Sequence, residues 1–173
     1  MQTKRLTFRH WKDSDAESLF KYASDPEVGP HAGWPPHESV EESLETIRTL
    51  FNSDTMWAMV LKETDEPIGC IGYLLKGNTN ISVGDDEAEI GYWVARPYWN
   101  KGLCTEALHW MIDYCFSVKR MQILWGDFFV DNPASGHVME KCGFKDTGIE
   151  TSCPNLYGGA DRLVRVKKLV RQI

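Results

Sequence analysis

The stretch Trp93-Val-Ala-Arg-Pro-Tyr-Trp-Asn-Lys-Gly-Leu-Cys-Thr-Glu-Ala107 decides how the chain is read, because it runs from a strand through a short loop directly into a helix. Upstream, Glu87 to Val94 alternates cleanly, with Glu87, Glu89, Gly91 and Trp93 on one side and Ala88, Ile90, Tyr92 and Val94 on the other. Downstream the period lengthens to that of a helix and puts Leu103, Ala107, Leu108, Met111, Ile112, Cys115 and Phe116 on one stripe. Such a junction aims several unpaired backbone N–H groups and the positive end of the helix at one point, where an anion is favoured. Gly102 lets the backbone approach a bulky diphosphate, Thr105 can cap the helix or hydrogen-bond the same group, and Lys101 adds a point charge. The same spacing also fits an ordinary loop with a glycine for its turn. Neither G-x-G-x-x-G nor G-x-x-x-x-G-K-[ST] occurs, so an anion site here is of neither the dinucleotide nor the P-loop type.

On the N-terminal side, Lys4 to Arg9 alternates as a first strand, and Asp13-Ser-Asp15 supplies capping residues for a helix that Asp25-Pro26 stops. The Gly- and Pro-rich His31-Ala-Gly-Trp-Pro-Pro-His37 is expected to be irregular and is followed by a helix from Ser39 to Phe51. Met56 to Lys62 and Ile68 to Lys76 read as an antiparallel hairpin turned at Thr64-Asp-Glu-Pro67, and Gly77 to Asp86 as a loop. On the C-terminal side follow a strand over Gln122 to Val130, a helix over Asn132 to Lys141 ended by Gly143, and a closing strand over Arg162 to Val170. Strand, two helices, three strands, helix, strand, helix and one or two terminal strands make an α/β fold with a mixed, largely antiparallel sheet.

The 173 residues, 42% hydrophobic and 25% charged, suit one domain over residues 1–173, with no internal repeat or linker to divide it. The first ten residues lack the apolar core of a secretory signal and no apolar run is long enough to span a bilayer, so a cytoplasmic protein without membrane partners is expected. The five cysteines are odd in number and none forms CxxC, and the five histidines show no ligand spacing, which argues against a disulfide framework and a metal site. A net charge of −6 disfavours nucleic acid and gives a cationic amine a friendlier field.

Trp99-Asn-Lys-Gly-Leu-Cys104 aligns with Q/R-x-x-G-x-G/A, the loop with which the GNAT superfamily of N-acetyltransferases binds the coenzyme A pyrophosphate. Trp99 stands where Gln or Arg is usual and Cys104 where Gly or Ala is usual. Glu89-Ile-Gly-Tyr-Trp-Val94, Arg96-Pro-Tyr-Trp99 and Gly102-Leu-Cys-Thr-Glu-Ala107 resemble the branch that acetylates ribosomal-protein N-termini, where a small residue, often Gly, takes the place of Asn100. Asn132-Pro-Ala-Ser135 with Glu140-Lys-Cys-Gly-Phe144 resembles the superfamily's pantetheine-holding segment. The resemblance covers nearly the whole chain and implies a three-layer fold with helices on both faces of the sheet, acetyl-CoA as cosubstrate and no metal.

It also implies roles. Amine acetylation needs a group to take the amine proton, donors for the developing oxyanion and a proton for the departing thiolate. Glu89 is the candidate base, with Gly91 on the same face leaving room for a thioester, and it reads alternatively as a solvated carboxylate beside Glu87. The backbone N–H of Val94 is the expected oxyanion donor. The Tyr that many relatives use as acid is here Met139, so Ser135 is the substitute, or else a helix-start hydroxyl. Coenzyme contacts are expected from Trp93, Val94, Trp99, Asn100, Lys101, Gly102, Leu103, Cys104, Thr105, Asn132 and Lys141; Asn132 reads alternatively as a turn former and Lys141 as a solvated helix end. Cys104 also admits an acetyl-cysteine route, though packing accounts for it. Trp34 and Tyr157 fall where the family builds acceptor walls, or cap the core. The acceptor is a peptide N-terminus or a small amine such as a polyamine or aminoglycoside, and the rival from another class is a noncatalytic acyl-CoA sensor. Oligomeric state is not legible.

Overall fold

Each element forms where its sequence buries one side. In the computed structural model, which describes residues 1–155 and 160–172, Leu6 and Phe8 of strand β1 (Leu6–Arg9) are buried while Thr7 and Arg9 are half-buried, the expected alternation. Helices α1 (Ala16–Ala23), α2 (Val28–Ala32) and α3 (Val40–Thr49) come next, then strands β2 (Met56–Leu61), β3 (Glu66–Leu74) and β4 (Glu87–Val94). Helix α4 (Leu103–Ser117), strand β5 (Ile123–Phe129), helix α5 (Pro133–Lys141) and strands β6 (Lys145–Cys153) and β7 (Arg162–Val170) complete the chain. The seven strands form a mixed, mostly antiparallel sheet in the order β1-β2-β3-β4-β5-β7-β6.

Two compact units make up the chain, one of residues 1–72 with 92–107 and one of 73–91 with 108 onward. In the first, β1 pairs antiparallel with β2 from Leu6↔Leu61 to Arg9↔Ala58, and β2 with β3 as the expected hairpin. Trp11, Ala16, Leu19, Ala23, Ile47, Ala58, Val60 and Cys70 form its core, against which Trp34, Phe51 and Trp93 pack. Each fully buried Leu, Ile or Val contributes roughly 1.5–3 kcal/mol. Ser39 caps α3, its Oγ accepting the Glu42 N–H at 3.1 Å. The reading of His31–His37 as irregular needs correction, because α2 reaches into it through Ala32. Pro30 lies in the first turn of that helix, where its missing N–H costs nothing, and Gly33 ends it at φ 92°.

In the second unit, β4 and β5 run parallel over only three rungs, Glu87↔Ile123, Ala88↔Leu124 and Glu89↔Trp125. Strand β5 pairs antiparallel with β7 along its whole length, and β7 with β6, whose register shifts between Asp146 and Glu150. Lys167 of β7 is buried to 2% exposure and tied to Glu140 at 3.0 Å and Asp146 at 3.4 Å, so its charge is matched on both α5 and β6.

Candidate active site

At its end β4 meets a backbone that leaves no slack. The Ala95 N–H donates to the Ile68 carbonyl at 2.8 Å, and Gly69 lies so close to the Trp93 carbonyl that a Cβ there would collide with it. A 3-10 turn, Arg96–Tyr98, with Pro97 in its first turn, then carries the chain away from the strand. The Trp99 indole folds back, its Nε1 donating to the Val94 carbonyl at 2.7 Å, while His31 meets the ring edge-on at 5.6 Å. An indole nitrogen bound to the strand end thus occupies the position where the family pattern has Gln or Arg.

Asn100 and Gly102 both adopt left-handed backbone, at φ 60° and 72°. Asn tolerates that region better than any other non-glycine residue apart from Asp, which accounts for Asn100 where relatives carry a small residue. Gly102 is needed for its φ more than for space, since the nearest atom to an added Cβ is an Arg5 guanidinium nitrogen at 3.7 Å. Lys101 is exposed, its Nζ 5.4 Å from the centre of the Tyr98 ring. Helix α4 opens directly after the loop, with Leu103 buried and Cys104 and Thr105 half-buried in its first turn. The Arg5 Nη1 donates to the Lys101 carbonyl at 2.8 Å and its Nε to Glu106 at 2.7 Å. Trp34 is half-buried, edge-on to Trp93 at 5.7 Å and 5.5 Å from His37.

The second unit holds the carboxylates. Glu89 is 2% exposed, so the solvated alternative is set aside by its burial. Oε2 accepts the Asn80 and Ile81 amides at 2.9 and 3.3 Å, and Oε1 accepts the Asn80 side-chain amide at 3.1 Å. These donors favour the ionised form, but burial and then the negative field of Asp127 outweigh them and push its pKa up to about 7. Burial raises Asp127 too, against its own backbone amide and the Asn80 side chain. Glu87, by contrast, is tied into the fold: its Oε2 accepts Trp125 Nε1 at 2.7 Å and the Gly84 N–H at 2.9 Å.

Partners on parallel strands share a face, so Glu89, Trp125 and, two residues on, Asp127 lie on the same side of the sheet. The ladder stops at Glu89↔Trp125, and a Cβ added at Gly91 finds no heavy atom within 4 Å. Asn132 stands at the N-cap of α5, and Ser135, half-buried in its first turn, donates its N–H to the Asn132 carbonyl at 3.2 Å. Met139 is buried, its sulfur so close to Gly126 that an added Cβ would sit 3.0 Å from it; a packed thioether thus occupies the place of the family tyrosine. Lys141 is exposed at the end of α5, and Tyr157 lies outside the described residues.

The structure therefore gathers Trp93, Val94 and Trp99 to Thr105 at one strand-loop-helix junction, and Glu89 in a buried carboxylate setting in the other unit, with Asn132 and Ser135 opening α5. Sequence reasoning missed Asn80, Asp127, Arg5 and Glu106. Asp127 carried a signal, an acid inside the apolar run of β5, where charge is rare unless it serves a purpose. Asn80 carried none, because it sits in a loop whose position only tertiary folding sets. Among the described residues no group of three or more His, Cys, Asp or Glu is gathered as for a metal ion, and no helix is long and apolar enough to cross a membrane.

The family model for an acetyltransferase (GNAT) domain matches residues 5–145. The N-acetyltransferase p20 of Bacillus licheniformis is 30% identical over 154 residues, covering 86% of this chain and 84% of that protein. The spermidine N-acetyltransferase of Vibrio cholerae, solved with CoA and spermine, superposes with a TM-score of 0.75 at 19% identity, over 97% of this chain and 96% of that one. The ribosomal-protein-S5-alanine acetyltransferase of Vibrio fischeri superposes at 0.71 and 20% identity, over 98% and 95%. The two structural likenesses show a shared fold.

Proposed function

Since this chain belongs to the GNAT acetyltransferase family and is an N-acetyltransferase, we propose that it moves the acetyl group of acetyl-CoA to a primary amine by direct attack in a ternary complex, with Glu89 as the base. The observation that carries the assignment is the buried Glu89 carboxylate, held by three donors yet with its pKa at about 7. A base works best when its pKa lies near the operating pH, and this one is half-ionised at neutrality. An amine arriving as the ammonium ion would give up its proton to Glu89, directly or through one water.

The strand-loop-helix junction fits the coenzyme: two left-handed residues flanking Lys101, then the N-terminus of a fifteen-residue helix, make a main-chain cradle suited to a diphosphate. Bound there, acetyl-CoA supplies the activated thioester. Residues 99–105 would hold its diphosphate, Trp93 and Val94 its thioester end, Asn132 the pantetheine amide and Lys141 a phosphate. The Val94 N–H would meet the carbonyl oxygen, the open space at Gly91 would admit the acyl group, and Ser135 would return a proton to the sulfur.

For the acceptor, the wording of β4 and the loop supports a peptide N-terminus, with Trp34 and Tyr157 as walls. A second reading, a small polyamine, has its own observation: Asp127 places a second carboxylate on the face of Glu89. Thiol release from acetyl-CoA, scanned over N-terminal peptides and polyamines with Glu89→Gln alongside, tests the proposal. Turnover with one class that is lost in the variant supports it and names the acceptor. Binding of the coenzyme without turnover on any amine would replace it with the sensor reading.

A further inference from the structure

We infer that Arg5, in the segment leading into β1, is a positioning residue for the anion cradle, holding the Lys101–Gly102 peptide so that the Gly102 N–H faces the coenzyme diphosphate. The inference rests on the coenzyme reading of the loop. Its geometry begins with the 2.8 Å hydrogen bond from Arg5 Nη1 to the Lys101 carbonyl. In a trans peptide the N–H points opposite to the C=O. A carbonyl drawn toward Arg5 therefore turns the next N–H, that of Gly102, away from Arg5 and out of the loop.

This peptide needs an external hold. It joins Lys101 to Gly102, and the residues on either side of Lys101 are both left-handed, at φ 60° and 72°. Asn and Gly both accept that backbone, and Gly above all has other conformations open to it, so the direction of the peptide between them depends on what binds its carbonyl. Arg5 is itself fixed. Its Nε donates to Glu106 Oε2 at 2.7 Å and its backbone N–H to Glu106 Oε1 at 2.8 Å, while the Thr3 hydroxyl donates to the same Oε1 at 2.6 Å. Burial works against the ionised form of Glu106, but these donors outweigh it and hold the carboxyl below its ordinary range. Glu106 lies in the first turn of α4, so one guanidinium ties the cradle's carbonyl to the helix whose N-terminus completes it.

The planar fork is the point of using arginine. Two acceptors on different segments are met at fixed angles, which the single ammonium of lysine does not reproduce. The third nitrogen, Nη2, lies 3.7 Å from where a Cβ would project at Gly102, so positive charge flanks the cradle as well.

Two measurements on the full chain test this. Calorimetric binding of CoA should weaken about tenfold in Arg5→Gln, the loss expected for one oriented hydrogen bond to a charged group, and nearly as much in Arg5→Lys. In wild type, titration with inorganic pyrophosphate should move the Gly102 amide resonance, and both variants should lose that response while a distant amide is unaffected. Glu106→Gln, which keeps Arg5 but loosens it, should weaken binding less and in the same direction, and serves if Arg5→Gln fails to fold. Arg5→Lys binding like wild type would show that charge alone matters and overturn the positioning role. So would a Gly102 amide that still responds in Arg5→Gln. Wild type failing to bind CoA at all would instead overturn the coenzyme reading.

Discussion

The loop of residues 99–102 and the setting of Glu89 solve opposite problems. On the coenzyme reading the loop would work through its main chain: Trp99, Asn100 and Lys101 are exposed or half-buried, and the direction of the amides is what would count. At Glu89 the proposed chemistry rests on one side chain, which the amides of Asn80 and Ile81 and the Asn80 side chain hold in place. Substitution should therefore be graded in the loop and abrupt at Glu89.

The sharpest test is Glu89→Gln, which keeps the shape and removes the proposed base. Its kcat should fall about 10²- to 10³-fold in the thiol-release assay, within the range for general-base catalysis. A fall of less than tenfold would erase the contrast. The pH profile sharpens it: with Glu89 active when ionised, kcat/KM should rise through about pH 7 and flatten above.

The same group links activity to stability. The folded chain holds the Glu89 proton more tightly than the unfolded chain, whose value is about 4.5, so this favours folding below about pH 4.5 and the benefit is lost as pH rises through about 7. Glu89→Gln should gain stability over wild type as pH is raised from about 5 to 8, by at most ~3 kcal/mol, read from urea midpoints.

Asp127→Asn is a milder perturbation. Removing the like charge should move the acid limb of kcat/KM down by less than the full displacement, because burial is the larger cause. A limb that stays at about 7 would mean that Asp127 has no part in setting it. In the loop, Gly102→Ala puts a Cβ at φ 72° and should cost roughly 1–2 kcal/mol, appearing as a higher KM for acetyl-CoA with kcat little changed. Asn100→Gly should have the smallest effect, within about twofold in KM, because both residues accept that backbone.

How much of this was legible follows the same division. The limits of β4 were readable to the residue because its alternation is unbroken, and the start of α4 because its signal is local. Strand β6 was not placed, since it lies at the edge of the sheet and exposes residues on both faces, leaving no period to find. Helix α2 was hidden by Gly29 and Pro30, which are tolerated there because Gly29 lies against Trp34 and Pro30 falls in the first turn, where no N–H is needed. Glu89 could be named from its place on β4, but its pKa could not, because Asn80 and Asp127 are brought to it only by folding.

Asn100 carries one more consequence. An asparagine in the left-handed region has fewer alternative conformations than a glycine would have there, so on the coenzyme reading the loop has less disorder to surrender when a phosphate arrives. Coenzyme association with this chain should accordingly show a smaller entropic penalty than with its Asn100→Gly counterpart even where the two affinities nearly coincide, a loop preset in shape rather than moulded by its ligand.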